Sequence, residues 1–163
     1  MKKNIFTVPI LSLVASIVLK LFIYIIAWIR NIATPEGQPI VWGKGYIYGV
    51  FGASVVLLIF IGIMLRKRDF DKITIFKSAT VLAAYMAIIW LVFRICTQIT
   101  GSLTPNLLML ELNLSYPFFI YDSIRSVIAS ININMTDFWI DQIAMILFPY
   151  MLVFFGKSKN TSL

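Results

Sequence analysis

The sequence predicts an all-α membrane protein, a bundle of four transmembrane helices, from its composition and from the lengths of its apolar stretches. Of its 163 residues, 60% are hydrophobic and only 13% are charged, whereas soluble domains are about 45–50% apolar and about 25% charged. Four apolar stretches, near residues 6–29, 46–65, 73–99 and 138–155, are long enough to cross a bilayer core of roughly 30 Å. These spans use most of the chain, so we expect a single integral membrane domain over residues 1–163.

The first span follows two lysines, as a signal peptide would. Its apolar run is longer than a signal-peptide core, and no small-residue cleavage motif follows it near Arg30, so we interpret it as a retained span. Lys20 lies about nine residues from the outer end of this span, or roughly 14 Å at 1.5 Å per residue, which a lysine side chain cannot reach. We therefore expect Lys20 to have a protein partner or a water-filled pocket inside the bundle.

Two helix faces in the first and second spans have the spacing of packing surfaces. Side chains at four-residue intervals along the first span share one face, and they are Ser12, Ser16, Lys20, Tyr24 and Trp28. The second span carries the small-residue ridge Gly45, Gly49 and Ala53, which allows close approach of a helix from this chain or from another. Both faces predict helix–helix packing inside the membrane.

The segment of residues 103–130 is apolar enough to suggest a fifth span, but its prolines and polar residues argue against one. We predict two short helices on the outer surface, the first capped by Thr104 with Pro105 at its first helical position. The second, over residues 117–131, is predicted to be amphipathic and to lie in the interface plane. Its apolar face contains Ile120, Ile124, Val127, Ile128 and Ile131, and its polar face contains Asp122, Ser123, Arg125, Ser126 and Ser130.

The distribution of basic residues predicts the orientation of the bundle. With the N-terminus inside, nine basic residues face the cytoplasm, namely Lys2, Lys3, Arg66, Lys67, Arg68, Lys72, Lys77, Lys157 and Lys159, and three face outward, namely Arg30, Lys44 and Arg125. This positive-inside bias places both termini in the cytoplasm. The four tryptophans, Trp28, Trp42, Trp90 and Trp139, then form one aromatic belt toward the outer face. We expect a bacterial plasma membrane.

Missing residue types exclude several kinds of chemistry. The chain has no histidine, which excludes His-ligated metals and Ser-His or Cys-His catalysis. Its single cysteine, Cys96, cannot form a disulfide within the chain. The net charge of +7 comes from residues that flank the spans, so we expect no nucleic-acid partner. We expect no metal and no cofactor, and we assign no catalytic residue.

Charged residues inside the spans form a predicted intramembrane charge cluster in the outer leaflet. Its members are Lys20, Arg94, Asp137 and Asp141. Two cations opposite two carboxylates would satisfy buried charge, and Asp141 is the partner that we expect for Lys20. A structural ion-pair network and a transport site are the two interpretations of this cluster.

The stretch NINMTDFWI, with Asn134 and Asp137, resembles the Asn-x-Ala-Asp stretch that opens the last span of lipoprotein signal peptidases. These are four-span aspartic proteases, so the resemblance implies that Asp137 is one catalytic aspartate and that Asp122 is the second. The resemblance covers fewer than about ten residues, and the Gly-Asn-x-x-Asp-Arg segment of that family is absent.

The function that the sequence favours is that of a non-enzymatic subunit or accessory factor. Such a protein would act through helix packing in the lipid bilayer, either with itself as a homo-oligomer or with a larger membrane protein complex. A transport or channel component that uses the charge cluster is the alternative, and a membrane-embedded aspartic protease is the third interpretation.

Overall fold

A computed structural model describes residues 4–35, 42–101, 104–131, 143 and 146–158 of the chain. The helices are α1 (Thr7–Ala33), α2 (Lys44–Lys67), α3 (Lys72–Thr100), α4 (Pro105–Leu114) and α5 (Phe119–Ile131), with a 3₁₀ turn at Tyr116–Phe118 and a 3₁₀ segment at Phe148–Phe155. Three of them, α1, α2 and α3, are long and apolar enough to cross a membrane. The helical, membrane-type fold is therefore confirmed, and these three helices match the first three predicted spans to within a few residues.

The cluster of charges between α2 and α3 forms a tight turn that starts α3. The Asp71 side chain caps α3, because its carboxylate accepts hydrogen bonds from the backbone N–H of Thr74 (3.4 Å) and from the Thr74 hydroxyl (2.6 Å). Asp69 has a φ of 56°, in the left-handed region that asparagine and aspartate tolerate better than most residues. These local preferences reverse the chain between two antiparallel helices.

The fourth predicted span, residues 138–155, is described at residue 143 and over residues 146–155. Its described end, Phe148–Phe155, is a 3₁₀ segment that packs against α2 and α3. Pro149 is buried in its first turn, and proline lacks the N–H that an α-helical ladder requires. At about 2.0 Å per residue, this segment covers roughly half of a bilayer core. The described end of this predicted span is therefore a 3₁₀ segment, and a complete fourth α-helical span stays a prediction.

The end of this segment is joined to the α2–α3 turn. The backbone N–H of Lys157 donates to the Phe70 carbonyl (3.0 Å), and the Lys72 N–H donates to the Lys157 carbonyl (3.3 Å). A Cβ atom at Gly156 would lie 2.8 Å from the Lys72 Cα, so a side chain there would push these backbones apart. The Lys157 ammonium also pairs with the Asp69 carboxylate.

The 3₁₀ turn at Tyr116–Phe118 joins α4 to α5, and these two helices with their turn are called the α4–α5 hairpin; α5 corresponds to the helix predicted over residues 117–131. The helix itself is present, but it packs inside the bundle against α1 and α2. Phe118, Ile120 and Tyr121 are completely buried, and Ser123, on the face that was predicted to be polar, is 8% exposed. The α-helix was therefore predicted correctly, and its position at the outer surface stays a prediction.

The first helix of this hairpin begins as the sequence predicts. The Thr104 side chain accepts a hydrogen bond from the Leu107 N–H (3.4 Å), and Pro105 occupies the first helical position. Proline costs nothing there because that N–H has no partner within the helix.

The outward faces of α1, α2 and α3 remain exposed and apolar, as a hydrocarbon environment requires.

Candidate functional site

The turn between α4 and α5 contacts α1 and α3 near their middles. Ser16 of α1 donates its hydroxyl hydrogen to the Pro117 carbonyl (3.4 Å) and accepts a hydrogen bond from the Ile120 N–H (3.2 Å). Tyr85 of α3 donates its hydroxyl hydrogen to the Leu114 carbonyl (2.8 Å). Helix ends leave such backbone groups without partners. The two long helices therefore complete the hydrogen bonding of the turn.

A second contact fixes the beginning of α5 to α1. The hydroxyl groups of Ser12 and Tyr121 are 2.7 Å apart, and both residues are completely buried. The serine face that the sequence shows on α1 thus meets the α4–α5 hairpin. Farther along the same face, Tyr24 and Trp28 are each 66% exposed, so only the first part of this face lies against the hairpin.

Lys20 continues the buried part of this face and points at the aromatic rings of the hairpin. Its Nζ lies 3.8 Å from the centre of the Tyr116 ring and 5.3 Å from the centre of the Phe119 ring. Such cation–π contacts stabilise an ammonium group by about 0.5–2 kcal/mol, depending on its solvation. Within the described part of the chain, the rings hold the ammonium in place and bring no opposite charge to it.

These residues line one side of a cavity with a volume of about 330 Å³. Among the described residues, four charged side chains line it, namely Lys20 of α1, Glu111 of α4, and Asp122 and Arg125 of α5. The Arg125 guanidinium pairs with the Asp122 carboxylate through Nη2 (2.8 Å) and Nε (3.0 Å). Glu111 lies outside the three candidate spans, and partial burial raises the pKa of its carboxyl group. The cavity therefore combines charged groups with aromatic and aliphatic walls.

Among the described residues, Lys20 is the member of the predicted charge cluster that lines this cavity. Arg94 lies on an exposed part of α3, and Asp137 and Asp141 lie outside the described residues, so their pairing with Lys20 stays a prediction. Glu111 was not predicted as a site residue, because its charge was used only as an argument against a fifth span. The three-residue spacing of Asp122 and Arg125 could have predicted their ion pair, since residues at this spacing are neighbours on a helix surface.

The small-residue ridge of α2 divides into two faces. Ala53 packs toward the hydrophobic core, whereas Gly45 and Gly49 are exposed. Gly52 lies on the same exposed face as these two glycines, and the sequence analysis did not include it. No described atom would come within 4 Å of a Cβ atom at any of the three glycines.

The described residues give little support to a metal site or to an aspartic protease site. Within them, no three His, Cys, Asp or Glu side chains form a group that could hold a metal ion. The Asp122 carboxylate, the second aspartate of the peptidase resemblance, is paired with Arg125, and Asp137 lies outside the described residues. Cys96 is a free, partly buried thiol.

No protein-family model, no curated protein and no solved structure matches the chain.

Proposed function

We propose that this small integral membrane protein is a non-enzymatic accessory subunit that packs against a helix of a larger membrane protein. The observation that carries the proposal is an uncovered seam along α2. The residues of this α2 seam are Gly45, Gly49, Gly52, Val56, Ile59 and Ile63, each of them exposed within the described part of the chain.

The spacing of the α2 seam is that of a helix-packing surface. Its residues follow one another at alternating intervals of four and three, the pattern of apolar positions that keeps one helix against another. Three glycines at one end would let a second backbone approach closely. In lipid, where apolar surface gains nothing from mere burial, such close packing is a main source of helix association.

Gly62 of α2 already allows such a close approach by another segment of the same chain. A Cβ atom at Gly62 would collide with the Phe155 ring, which means that this ring sits directly on the α2 backbone. The glycines of the α2 seam offer similar access with no described residue in place. A partner helix is therefore the occupant that their chemistry suits, and a larger membrane complex provides one.

Replacement of the seam glycines tests this proposal. The chain would be purified in mild detergent, and co-purifying membrane proteins would be compared for wild type, Gly49→Leu, Gly52→Leu and the control Ala84→Leu. Ala84 is exposed on α3, so its leucine adds similar bulk to a different lipid-facing surface. We expect both seam variants to lose the partner and the control to retain it. A partner that all variants retain equally would overturn the proposal.

A second copy of the chain is the competing occupant, and a cross-linking experiment separates the two. With Cys96 replaced by alanine, Gly52→Cys would form a disulfide-linked dimer in native membranes if two α2 seams face each other. Efficient dimer formation there would replace the accessory-subunit proposal with a homo-oligomer.

A transport or channel component is the second candidate function, and the charged cavity is the observation that favours it. Spanning helices place their middles near the bilayer midplane, and the α4–α5 turn meets α1 and α3 near their middles through Ser16 and Tyr85. We therefore infer that α4 and α5 form a re-entrant hairpin. Broken backbone at such a depth is tolerated where protein or a polar cavity surrounds it, an arrangement that many transporters use at their binding sites.

Water access to the cavity tests this second function. In reconstituted vesicles and on a Cys96→Ala background, Glu111→Cys would react with a small, membrane-impermeant thiol reagent from one side if the cavity connects to water. A transport component should allow this reaction, whereas complete protection from both sides would remove the transport interpretation.

A further inference from the structure

Among the described residues that line the cavity between α1 and the α4–α5 hairpin, Lys20 is the cation that has no ion pair with a carboxylate. Arg125 and Asp122 are in direct contact, and their charges offset each other. The described contacts of the Lys20 ammonium are with the π-faces of Tyr116 and Phe119, which have no net charge. Glu111 lines the same cavity, and within the described residues no ion pair joins its carboxyl group to the Lys20 ammonium.

The aromatic contacts also prepare Lys20 to bind. An ammonium group has three N–H donors and no acceptor. The rings hold the side chain in position on one side, while the cavity borders it on the other. An anion that enters the cavity would accept charge-assisted hydrogen bonds from an ammonium group that is already oriented, which lowers the entropy cost of binding.

The size and walls of the cavity limit what this anion can be. A volume of about 330 Å³ lies at the lower end of the range for ligand pockets, roughly 300–1,000 Å³. It has room for a headgroup-sized molecule and not for a whole lipid. Met86 and Leu112 contribute apolar surface beside the charged groups. A small anionic group that is attached to apolar material suits this combination.

We infer that this cavity is a binding site for an anionic phosphate group, which Lys20 recognises and which an anionic lipid supplies from the bilayer. The Tyr116 and Phe119 rings position the lysine, and the Arg125–Asp122 pair closes the polar side of the site. The inference does not depend on the α2 seam, because these residues belong to α1 and to the hairpin. Failure of either proposal would leave the other intact.

Lipid retention by the purified protein tests the inference. The wild-type chain in neutral detergent would be titrated with phosphatidylglycerol, with phosphatidylcholine and with soluble glycerol phosphate, and bound molecules would be counted by native mass spectrometry. We expect preferential binding of phosphatidylglycerol, and at least a tenfold weaker apparent affinity in Lys20→Met. The matched control is Lys44→Met, an exposed lysine at the start of α2, and it should bind as the wild type does.

Further variants keep the test decisive if Lys20→Met does not fold. Lys20→Arg preserves the charge and should keep the binding. Leu112→Trp fills the cavity without changing its charge and should weaken binding by a similar factor. Equal retention of phosphatidylglycerol and phosphatidylcholine, or no loss of affinity in either Lys20→Met or Leu112→Trp, would overturn the inference. Binding of glycerol phosphate as tight as that of the lipid, with the same dependence on Lys20, supports the phosphate site and makes a soluble phosphate its source.

Discussion

Single side chains of α1 complete the hydrogen bonds of a turn that is distant in sequence. Ser16 bonds two backbone groups of the α4–α5 turn, and it is separated from Ile120 by 104 positions. Buried backbone groups without partners cost about 1–3 kcal/mol each. The Ser16 hydroxyl group therefore contributes to the stability of this turn inside the bundle.

Substitution of Ser16 tests this role. Ser16→Ala leaves the Ile120 N–H without its partner, and we expect the free energy of unfolding to fall by about 1–3 kcal/mol in detergent. The control is Ser126→Ala, an exposed residue whose hydroxyl bonds only carbonyls of its own helix, and its effect should stay within about 0.5 kcal/mol. Equal effects of the two changes would contradict the assignment. Thermal or denaturant unfolding, followed by circular dichroism, measures both.

The sequence-based pairing of Lys20 with Asp141 is open to a double-mutant cycle. Lys20→Met and Asp141→Leu would each destabilise the protein by roughly 3–5 kcal/mol if the two residues form a buried pair, and the double variant would recover part of the loss. Additive effects would show instead that Lys20 depends on the aromatic rings of the hairpin. The free energy of unfolding of the four proteins gives the coupling energy directly.

At the scale of the elements, glycines of one helix have opposite surroundings. Phe155 of the 3₁₀ segment packs on Gly62, whereas Gly52 faces open space among the described residues. Gly62 is needed for the close packing of the Phe155 ring. Gly52 lowers the intrinsic stability of the helix, since glycine is about 0.8–1.0 kcal/mol less favourable than alanine in a helix.

Alanine substitutions at these two positions should therefore change stability in opposite directions. We expect Gly62→Ala to lower the free energy of unfolding by about 1–3 kcal/mol, because the added methyl group forces the ring and its backbone to move. Gly52→Ala should raise it by up to about 1 kcal/mol in the isolated chain. A neutral result at Gly62 would mean that the 3₁₀ segment is not held against α2. Unfolding of both variants in the same detergent provides the comparison.

For the whole molecule, the membrane topology is the property that most needs a direct measurement. The basic residues predict both termini in the cytoplasm, and the contacts of the hairpin favour a re-entrant segment that returns to the side from which it enters. Because charge bias and packing are independent arguments, labelling at several positions can test each of them.

Cysteine labelling in intact cells, on a Cys96→Ala background, distinguishes the possible topologies. We expect Thr104→Cys to react with an impermeant reagent from outside, and Asn160→Cys to react only after the cells are opened. Ser115→Cys, at the hairpin turn, should be protected from the cytoplasmic side. Labelling of position 160 from outside would reverse the predicted orientation of the C-terminus, and rapid cytoplasmic labelling of position 115 would mean that α4 crosses the membrane.

The sequence by itself determined the membrane class, the three long helices and the start of α4. These features depend on local causes, namely the length of each apolar run and the capping by Thr104 and Pro105. It also placed Ser12, Ser16 and Lys20 on one helix face, because that face follows from the period of the helix alone.

Only the tertiary structure decided what this face meets. The contacts of Ser12 with Tyr121 and of Lys20 with Tyr116 join segments about a hundred residues apart, and no periodicity encodes such pairings. An apolar stripe on α5 is equally suited to a lipid interface and to a protein interior, because both environments bury it. The serine and tyrosine partners that α1 and α3 supply to the backbone of the turn become visible only once the helices are packed together.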